Sequence, residues 1–265
     1  MEKIKQNLTG LLNRVPEITI YFWIIKILGT TIGETGADYL SFNLHFGLVN
    51  TSYIMSALLA IVLVIQFRFK KYVPVVYWLA VILISIVGTL ITDQMVEGLG
   101  ISLVITTIAF TIGLALVFIF WYLKEKTLSI HSIFTAKREA FYWLAILFTF
   151  ALGTASGDLL SESVGIGYVQ AGLVFAGTIA LISGAFYYFK KKQFKFQINP
   201  IFAFWSAYIL TRPLGASIGD YLTQDPKYGG LGISTMWITP IFLIGIVGLV
   251  AYLSIRQKKQ IVIEA

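Results

Sequence analysis

The sequence contains no cysteine and only two histidines, which removes most of the ligands that soft metal ions prefer. Without cysteine the protein forms no disulfide and no thiolate site for zinc or copper(I). Cysteine usage therefore does not indicate whether its compartment is oxidising or reducing. His45 and His131 fall in predicted loops, so neither is expected to bind a metal. Charged residues are also scarce, at 12% of the chain against roughly 25% in ordinary soluble domains. This scarcity argues against a water-soluble fold.

What the sequence has instead is apolar residues, which make up 57% of the chain. They recur in runs of about 20 residues, each long enough to cross a hydrocarbon core roughly 30 Å thick. The N-terminal residues lack a small-residue cleavage site behind a short apolar core, so no removed signal peptide is expected. We predict an all-α, polytopic membrane protein with eight transmembrane helices, in which residues 1–265 form a single membrane domain. The predicted spans are 18–40, 48–67, 73–96, 101–123, 139–160, 166–189, 201–222 and 231–255.

Lysine and arginine residues are distributed unevenly between the loops that join these spans. The loops on one side hold nearly all of them, and the loops on the other side hold only Lys227. Because basic loops face the cytoplasm in multi-pass proteins, both termini are predicted to be cytoplasmic and the protein to lie in the plasma membrane. The net charge of +7 then requires no nucleic-acid partner, and the lipid bilayer is the expected surrounding. The residues of the basic side are Lys3, Lys5, Arg14, Arg68, Lys70, Lys71, Lys124, Lys126, Lys137, Arg138, Lys190, Lys191, Lys192, Lys195, Arg256, Lys258 and Lys259.

The pattern W-x9-G-x4-D occurs four times, always on the first helix of a predicted helix pair. Chance does not produce this spacing four times, so we predict four tandem two-helix repeats at approximately 18–68, 73–124, 138–190 and 200–256. Each repeat crosses the membrane twice, so all four share one orientation and are parallel repeats around an axis along the membrane normal. A pseudo-fourfold or pseudo-twofold bundle is expected. The pattern comprises Trp23, Gly33 and Asp38; Trp78, Gly88 and Asp93; Trp143, Gly153 and Asp158; and Trp205, Gly215 and Asp220.

Four segments of the sequence resemble a known family of bacterial membrane proteins. These segments are KILGTTIGETGADYL, GTLITD, LGTASGDLL and ILTRPLGASIGDYL. The family is defined by four tandem two-helix repeats of unknown function, each with a characteristic tryptophan, and the resemblance covers nearly the whole chain. It implies an eight-helix integral protein of the bacterial inner membrane and supplies no mechanism.

Ionisable residues interrupt the apolar spans at regular positions. A charged side chain at the centre of a membrane helix costs on the order of 2.5 to 3.5 kcal/mol, so these residues are expected to meet in the bundle interior. The tryptophans are expected near the cytoplasmic interface, where indole rings anchor helices. In the first span, four polar residues spaced by four form one stripe: Lys26, Thr30, Glu34 and Asp38. Their counterparts on the other odd-numbered spans are Thr89 and Asp93, Thr154 and Asp158, and Arg212 and Asp220.

Two features of the repeats each have two interpretations. The aspartates follow the tryptophans by 15 residues, or about 22 Å of helix, which places them in the outer third of the membrane. There they are either ligands or caps at the helix ends. The glycines of the pattern either let neighbouring helices pack closely or break a helix so that its carbonyl groups bind an ion. Pro213 favours a distortion of the seventh helix, because proline removes a backbone donor.

The charges of the spans suggest a cationic ligand. Five acidic residues stand against two basic ones, and hard oxygen atoms suit H⁺, Na⁺, Mg²⁺, Ca²⁺ or Mn²⁺. Glu34 and Asp38 are the predicted principal ligands of this cation, and they are the predicted metal ligands when the cation is a metal ion. Lys26 and Arg212 are predicted charge partners, which either hold helices 1 and 7 together or release a carboxylate when the cation binds. The predicted oxygen ligands are Glu34, Asp38, Asp93, Asp158 and Asp220, with Thr30, Thr89 and Thr154.

These observations predict a transporter of a small cation, with its site between the odd-numbered helices. The predicted cation is a hard divalent metal ion, and its coupling to protons is left open. Two alternatives stay open at this point. A ring of four aspartates could select cations in a channel, or the buried charges could only fix helix register in a sensor or scaffold. No convincing catalytic signature is present, so no enzyme activity is expected. No cofactor is expected either, apart from a divalent cation as substrate.

Overall fold

The described part of the chain, residues 13–192 and 198–264 of a computed structural model, contains eight α-helices and no strand. The prediction of an all-α protein is therefore confirmed. Side chains of the last helix are described up to residue 257, and Lys3, Lys5 and Lys195 of the predicted basic side lie outside the described residues. The helices are α1 (Ile20–Asp38), α2 (Gly47–Arg68), α3 (Pro74–Asp93), α4 (Leu103–Glu125), α5 (Ala136–Asp158), α6 (Tyr168–Lys192), α7 (Pro200–Thr223) and α8 (Thr235–Glu264).

Local signals in the sequence define where several of these helices begin. Pro74 and Pro200 stand in the first turns of α3 and α7, where a missing backbone N–H costs nothing. The side chains of Thr19, Ser102 and Thr135 accept backbone N–H groups at the starts of α1, α4 and α5. The helix ends lie within four residues of the predicted spans, except that α8 continues to Glu264 instead of ending at residue 255.

Six of the helices are long and apolar enough to cross a membrane: α2, α3, α4, α5, α6 and α8. This composition is that of a multi-pass membrane protein. The remaining two, α1 and α7, carry Lys26, Glu34 and Arg212 among their apolar residues. These three side chains are buried by neighbouring helices. The polar stripe predicted for α1 therefore faces the interior of the bundle.

The four odd-numbered helices form a closed ring in which each one packs against two others. Helix α1 contacts α3, α3 contacts α5, α5 contacts α7, and α7 returns to α1. Each outer helix covers the inner helix of the following repeat: α2 packs on α3, α4 on α5, α6 on α7, and α8 on α1. The arrangement therefore has pseudo-fourfold order. Apolar side chains on the outer helices, such as Ile61, Leu181 and Ile244, are exposed where lipid would surround the protein.

Each of the four glycines of the repeat pattern packs directly against the next inner helix of this ring. A Cβ atom at Gly33 would lie 1.9 Å from Ser85 Oγ, and one at Gly88 would lie 2.7 Å from Phe150 Cβ. Gly153 and Gly215 repeat the geometry against Arg212 and Thr30, at 2.2 Å and 2.0 Å. In every case the neighbour belongs to the next inner helix. Both α1 and α7 run unbroken through their glycines and through Pro213, so the structure has close packing at these positions and no helix break.

Helices α1, α3 and α5 each continue directly into a five-residue π-helical turn. The turns are Tyr39–Asn43, Gln94–Gly98 and Leu159–Ser163, and each begins immediately after the aspartate of its repeat. Helix α7 instead stays α-helical past Asp220 to Thr223. Single π-helical turns inside α-helices are frequent at functional sites, and these three shape one end of the ring.

Three of the four repeat tryptophans lie inside the bundle, whereas Trp23 is half-buried. Trp78, Trp143 and Trp205 are buried. The indole N–H of Trp78 donates to the Tyr72 hydroxyl at 3.1 Å, and that of Trp205 donates to the Leu128 carbonyl at 2.9 Å. These three side chains therefore contact neighbouring helices and do not face lipid. Their predicted depth near the cytoplasmic interface stays a prediction.

Candidate functional site

A buried ion pair occupies the centre of the ring of inner helices. Arg212 on α7 has no exposed surface, and its Nη2 atom lies 3.0 Å from Glu34 Oε2 on α1. The same nitrogen donates to the hydroxyls of Thr154 on α5, at 2.6 Å, and of Thr89 on α3. One guanidinium therefore contacts all three other inner helices, which places it on the axis of the ring. The structure brings together Arg212 and Glu34, two residues that the sequence marked as a charge partner and a ligand.

The layer of side chains around the Arg212 guanidinium is built from equivalent positions of the four repeats. The residue after the repeat glycine is Glu34 in the first repeat, Thr89 in the second, Thr154 in the third and Ala216 in the fourth. A ring of equivalent positions thus supplies one carboxylate and two hydroxyls to a single guanidinium. Arginine suits this place because its planar guanidinium offers five N–H donors in a fixed geometry. The fold repeats four times, whereas the chemistry of the layer does not.

Seven carboxylate side chains surround a cavity of about 90 Å³ at the end of the ring where the aspartates lie. We call this cavity the carboxylate chamber. A cavity needs about 10 to 15 Å³ to hold one water molecule, so several waters or one partly hydrated ion fit. Glu34 and Asp220 are buried at its base, while Glu97 and Glu162 are exposed at its rim, so it opens toward solvent. Its carboxylates are Glu34, Asp38, Asp93, Glu97, Asp158, Glu162 and Asp220.

All five acidic residues predicted as ligands line the chamber, and two further acids join them. Glu97 and Glu162 fall outside the predicted spans 73–96 and 139–160, but both lie in π-helical turns that extend α3 and α5. Each follows the aspartate of its repeat by four residues, a spacing that places two side chains on one helix face. Gln224 occupies the same offset after Asp220 and also lines the cavity. The four-residue spacing was the signal that could have identified them.

No hydrogen bond among the described residues supports a role of the aspartates as helix-end caps. Asp38, Asp93 and Asp158 precede the π-helical turns in the capping position, yet none of their side chains makes a capping hydrogen bond. Asp220 lies within α7 and is buried. The aspartates therefore line the chamber and do not cap the helices.

The threonines predicted as oxygen ligands do not line the chamber. Thr89 and Thr154 accept hydrogen bonds from Arg212 instead. The hydroxyl of Thr30 donates to the Ile27 carbonyl at 2.7 Å and packs against Gly215. These three side chains hold the inner helices and the guanidinium in place, one helical turn or more from the aspartates.

Lys26 lies in an aromatic cage on the side of Arg212 that faces the basic loops. Its Nζ atom is 4.0 Å from the centre of the Phe150 ring on α5 and 4.1 Å from that of Tyr208 on α7. Since α1 and α5 stand on opposite sides of the ring, the lysine side chain crosses the axis. Its ammonium group is fully buried and has no hydrogen-bond acceptor among the described residues. The predicted pairing of Lys26 with a carboxylate is therefore not formed, because the cation contacts ring faces instead.

The role of Glu34 and Asp38 as metal ligands stays a prediction. Within residues 13–192 and 198–264, no group of three or more His, Asp or Glu side chains is arranged to hold a metal ion. Both residues line the chamber, but the Glu34 carboxylate already accepts a hydrogen bond from Arg212. A cation could use Glu34 fully only after the guanidinium moves away.

Comparison with known proteins identifies repeats of one type along the chain. A family model described as Repeat of Unknown Function (DUF347) matches four times, over residues 21–72, 76–127, 141–192 and 203–259. The resemblance noted from the sequence segments is thereby confirmed. No curated protein and no solved structure matches the chain.

Proposed function

We propose that this chain, which belongs to the family Repeat of Unknown Function (DUF347), transports a small hard cation across the membrane through the carboxylate chamber. The observation that carries the proposal is the chamber itself, in which seven carboxylates line a small cavity and one of them, Glu34, pairs with the buried guanidinium of Arg212. Intramembrane ionisable residues are costly, so a set of this size indicates a pathway for ions or protons. The proposal assigns no catalytic step and no resident cofactor, because the cation is the substrate.

The charge of the chamber favours a cation over an anion. Seven carboxylates against Arg212 leave a formal excess of six negative charges when all are ionised, since seven minus one is six. Bound protons or a metal cation would relieve this repulsion. Oxygen ligands suit H⁺, Na⁺, Mg²⁺, Ca²⁺ and Mn²⁺. Because no ready-made metal cage is present in the described residues, we propose that a divalent ion binds with part of its water shell, as Mg²⁺ commonly does.

We also propose an orientation for the pathway. The loops on the side of the tryptophans carry the basic residues, so by the positive-inside rule that side and both termini face the cytoplasm. The carboxylate chamber then opens to the outside of a bacterial plasma membrane. In this orientation the described conformation would be accessible from outside and closed toward the cytoplasm.

A transporter fits the centre of the ring better than an open channel does. Arg212 and Lys26 lie across the axis, one behind the other, and positive charges in a pore oppose the passage of cations. Movement of a cation past them requires the ring to rearrange. We propose that the incoming cation competes with Arg212 for Glu34, so that one positive charge replaces another and the inner helices are released from the guanidinium.

The proposal is tested by ion flux into proteoliposomes that contain the purified protein. Uptake of Mn²⁺, Mg²⁺, Ca²⁺, Na⁺ and H⁺ is compared between wild type, Glu34→Gln and Asp38→Asn. Asp225→Asn is the matched control, because Asp225 is an exposed acid in a loop with Lys227 as its partner. We expect saturable flux of at least one cation in wild type and in the control, and its loss in both chamber variants.

Two results would count against transport. Absence of flux for all five ions, with protein that is monodisperse and folded, would leave the buried charges as a device that fixes helix register. Undiminished flux in both Glu34→Gln and Asp38→Asn would show that ions cross elsewhere in the molecule.

A further inference from the structure

A deep apolar groove of about 750 Å³ opens on the outside of the bundle. Helix α7 lines it along Phe204, Ala207 and Leu214, and helices α1 and α6 form its two walls. It lies on the half of the molecule that carries the basic loops, and residues 128–131 of the loop between α4 and α5 close its end. This groove is separate from the carboxylate chamber and shares no residue with it.

The dimensions of the groove match one leaflet of a bilayer. Its lining runs from Leu214 to Pro200, which is roughly 20 Å of helix at 1.5 Å per residue. One leaflet contributes about 15 Å of hydrocarbon, half of a core roughly 30 Å thick. The groove is therefore long enough to hold an acyl chain from the bilayer centre up to the headgroup region. Its lining is mostly apolar and offers water few hydrogen-bond partners, so lipid is the natural occupant within a membrane.

The end of the groove near the basic loops carries positive charge. Lys190, Lys191 and Lys192 are exposed in the last turn of α6. The Nζ atom of Lys190 lies 5.8 Å from the centre of the Phe186 ring, and Phe186 lines the groove. Ser129 and His131 add polar atoms at the same end, and none of the described lining residues is acidic. Basic pockets between membrane helices are typical binding places for anionic lipid headgroups.

We propose that this groove binds an anionic phospholipid, with an acyl chain against α7 and the phosphate beside Lys190, Lys191 and Ser129. The charge of the lysines selects the anionic headgroup, and the apolar groove selects a lipid over free phosphate. The site does not depend on cation transport. Because the groove is bordered by α1 and α7, whose contact closes the ring, an occupying lipid would brace the junction between the first and fourth repeats.

The test uses native mass spectrometry of the full-length protein in detergent with added lipid. Phosphatidylglycerol is compared with phosphatidylcholine of the same acyl chains, and we expect on the order of tenfold tighter binding of the anionic lipid. Replacing Lys190, Lys191 and Lys192 together by Gln should remove the preference. The matched control replaces Arg68, Lys70 and Lys71 by Gln, since these residues form another basic loop that lies away from the groove lining.

A second pair of variants tests the groove itself. Ala180→Phe places a ring into the groove, whereas Leu181→Phe changes the neighbouring residue, which is 75% exposed and outside the lining. We expect Ala180→Phe to weaken phosphatidylglycerol binding at least tenfold and Leu181→Phe to leave it unchanged. Equal affinity for both lipids would overturn the proposal. So would binding that Ala180→Phe does not alter, because the lipid would then only adsorb to surface lysines. Absence of any bound lipid would likewise show that the proposal is wrong.

Discussion

At the scale of single residues, the molecule depends on one arginine that four helices share. Arg212 reaches Glu34, Thr89 and Thr154 from a position without exposed surface. Burying a charge is costly unless it is paired and hydrogen-bonded, and Nη2 of Arg212 is both paired with Glu34 and hydrogen-bonded to the two threonines. The sequence could identify Arg212 and Glu34 as unusual, because each is a charge within an apolar span. It could not identify their pairing, because that depends on which helices are neighbours.

Removing one member of this pair should be far more damaging than removing both. Arg212→Met leaves the Glu34 carboxylate buried without its cation, which costs about 3 to 5 kcal/mol of unfolding free energy. The double variant Glu34→Met with Arg212→Met removes both charges and should recover most of that loss. Unfolding in a mixed-micelle titration, followed by tryptophan fluorescence, measures the coupling. Additive losses in the double variant would show that the two residues do not act as a pair.

Lys26 should behave in the opposite way. Its ammonium group has aromatic faces around it and no acceptor in the described part of the chain, so no hydrogen bond there compensates its burial. We expect Lys26→Met to leave the unfolding free energy unchanged or to raise it, because methionine fills a similar volume and contacts the same rings. Lys137→Met, at an exposed surface ion pair with Glu125, is the control and should stay within about 0.5 kcal/mol. A loss of more than about 2 kcal/mol in Lys26→Met would contradict this account and indicate that the cage stabilises the cation strongly.

At the scale of helices, the repeat glycines decide how closely the inner helices approach. The sequence left close packing and helix breaking open, because both use glycine. The structure has uninterrupted helices with the next inner helix directly against each glycine. Small residues at helix contacts let backbones approach closely in membranes, where no hydrophobic force draws helices together. The glycine at each repeat is thus a consequence of ring closure.

Alanine at one of these glycines should destabilise the ring, whereas alanine at a lipid-facing glycine should not. In Gly88→Ala the new Cβ would lie 2.7 Å from Phe150 Cβ and 3.1 Å from the Ala151 nitrogen, so α3 and α5 must separate. We expect a loss of about 1 to 3 kcal/mol in unfolding free energy. Gly177→Ala on α6 meets no atom within 4 Å and should be neutral or stabilising by up to about 1 kcal/mol. Equal effects of the two substitutions on thermal unfolding would refute the packing account.

The sequence predicted helix ends well and the role of helix faces poorly. Apolar runs, prolines and capping residues define where a helix begins, and these are local properties. Glu97 and Glu162 were missed as chamber residues because each apolar run ends before them, although the helix continues through a π-helical turn. The predicted depth of the tryptophans gave no information about which neighbour each side chain faces, so the burial of Trp78, Trp143 and Trp205 against other helices was not predicted.

At the scale of the whole molecule, a repeated scaffold supports one asymmetric site. The four repeats supply equivalent helices, glycines and aspartates, and each outer helix covers the inner helix of the following repeat. Glu34, Lys26 and Arg212 occur in single repeats and break the symmetry at the axis. The pattern of four tryptophans, glycines and aspartates predicted parallel repeats around an axis. It could not give the order of neighbours, since fourfold and twofold bundles share the same sequence pattern.

The most direct test of the central claim is cation-dependent thermal unfolding of the purified protein. Melting temperatures are measured over increasing concentrations of Mn²⁺, Mg²⁺, Ca²⁺ and Na⁺, for wild type and for a variant with Asn at Asp38, Asp93, Asp158 and Asp220. A ligand at 100 times its dissociation constant stabilises the folded state by about 2.7 kcal/mol. We predict that at least one cation raises the melting temperature of wild type in this manner and that none raises that of the variant. No shift in wild type, or the same shift in both proteins, would contradict a cation site in the carboxylate chamber.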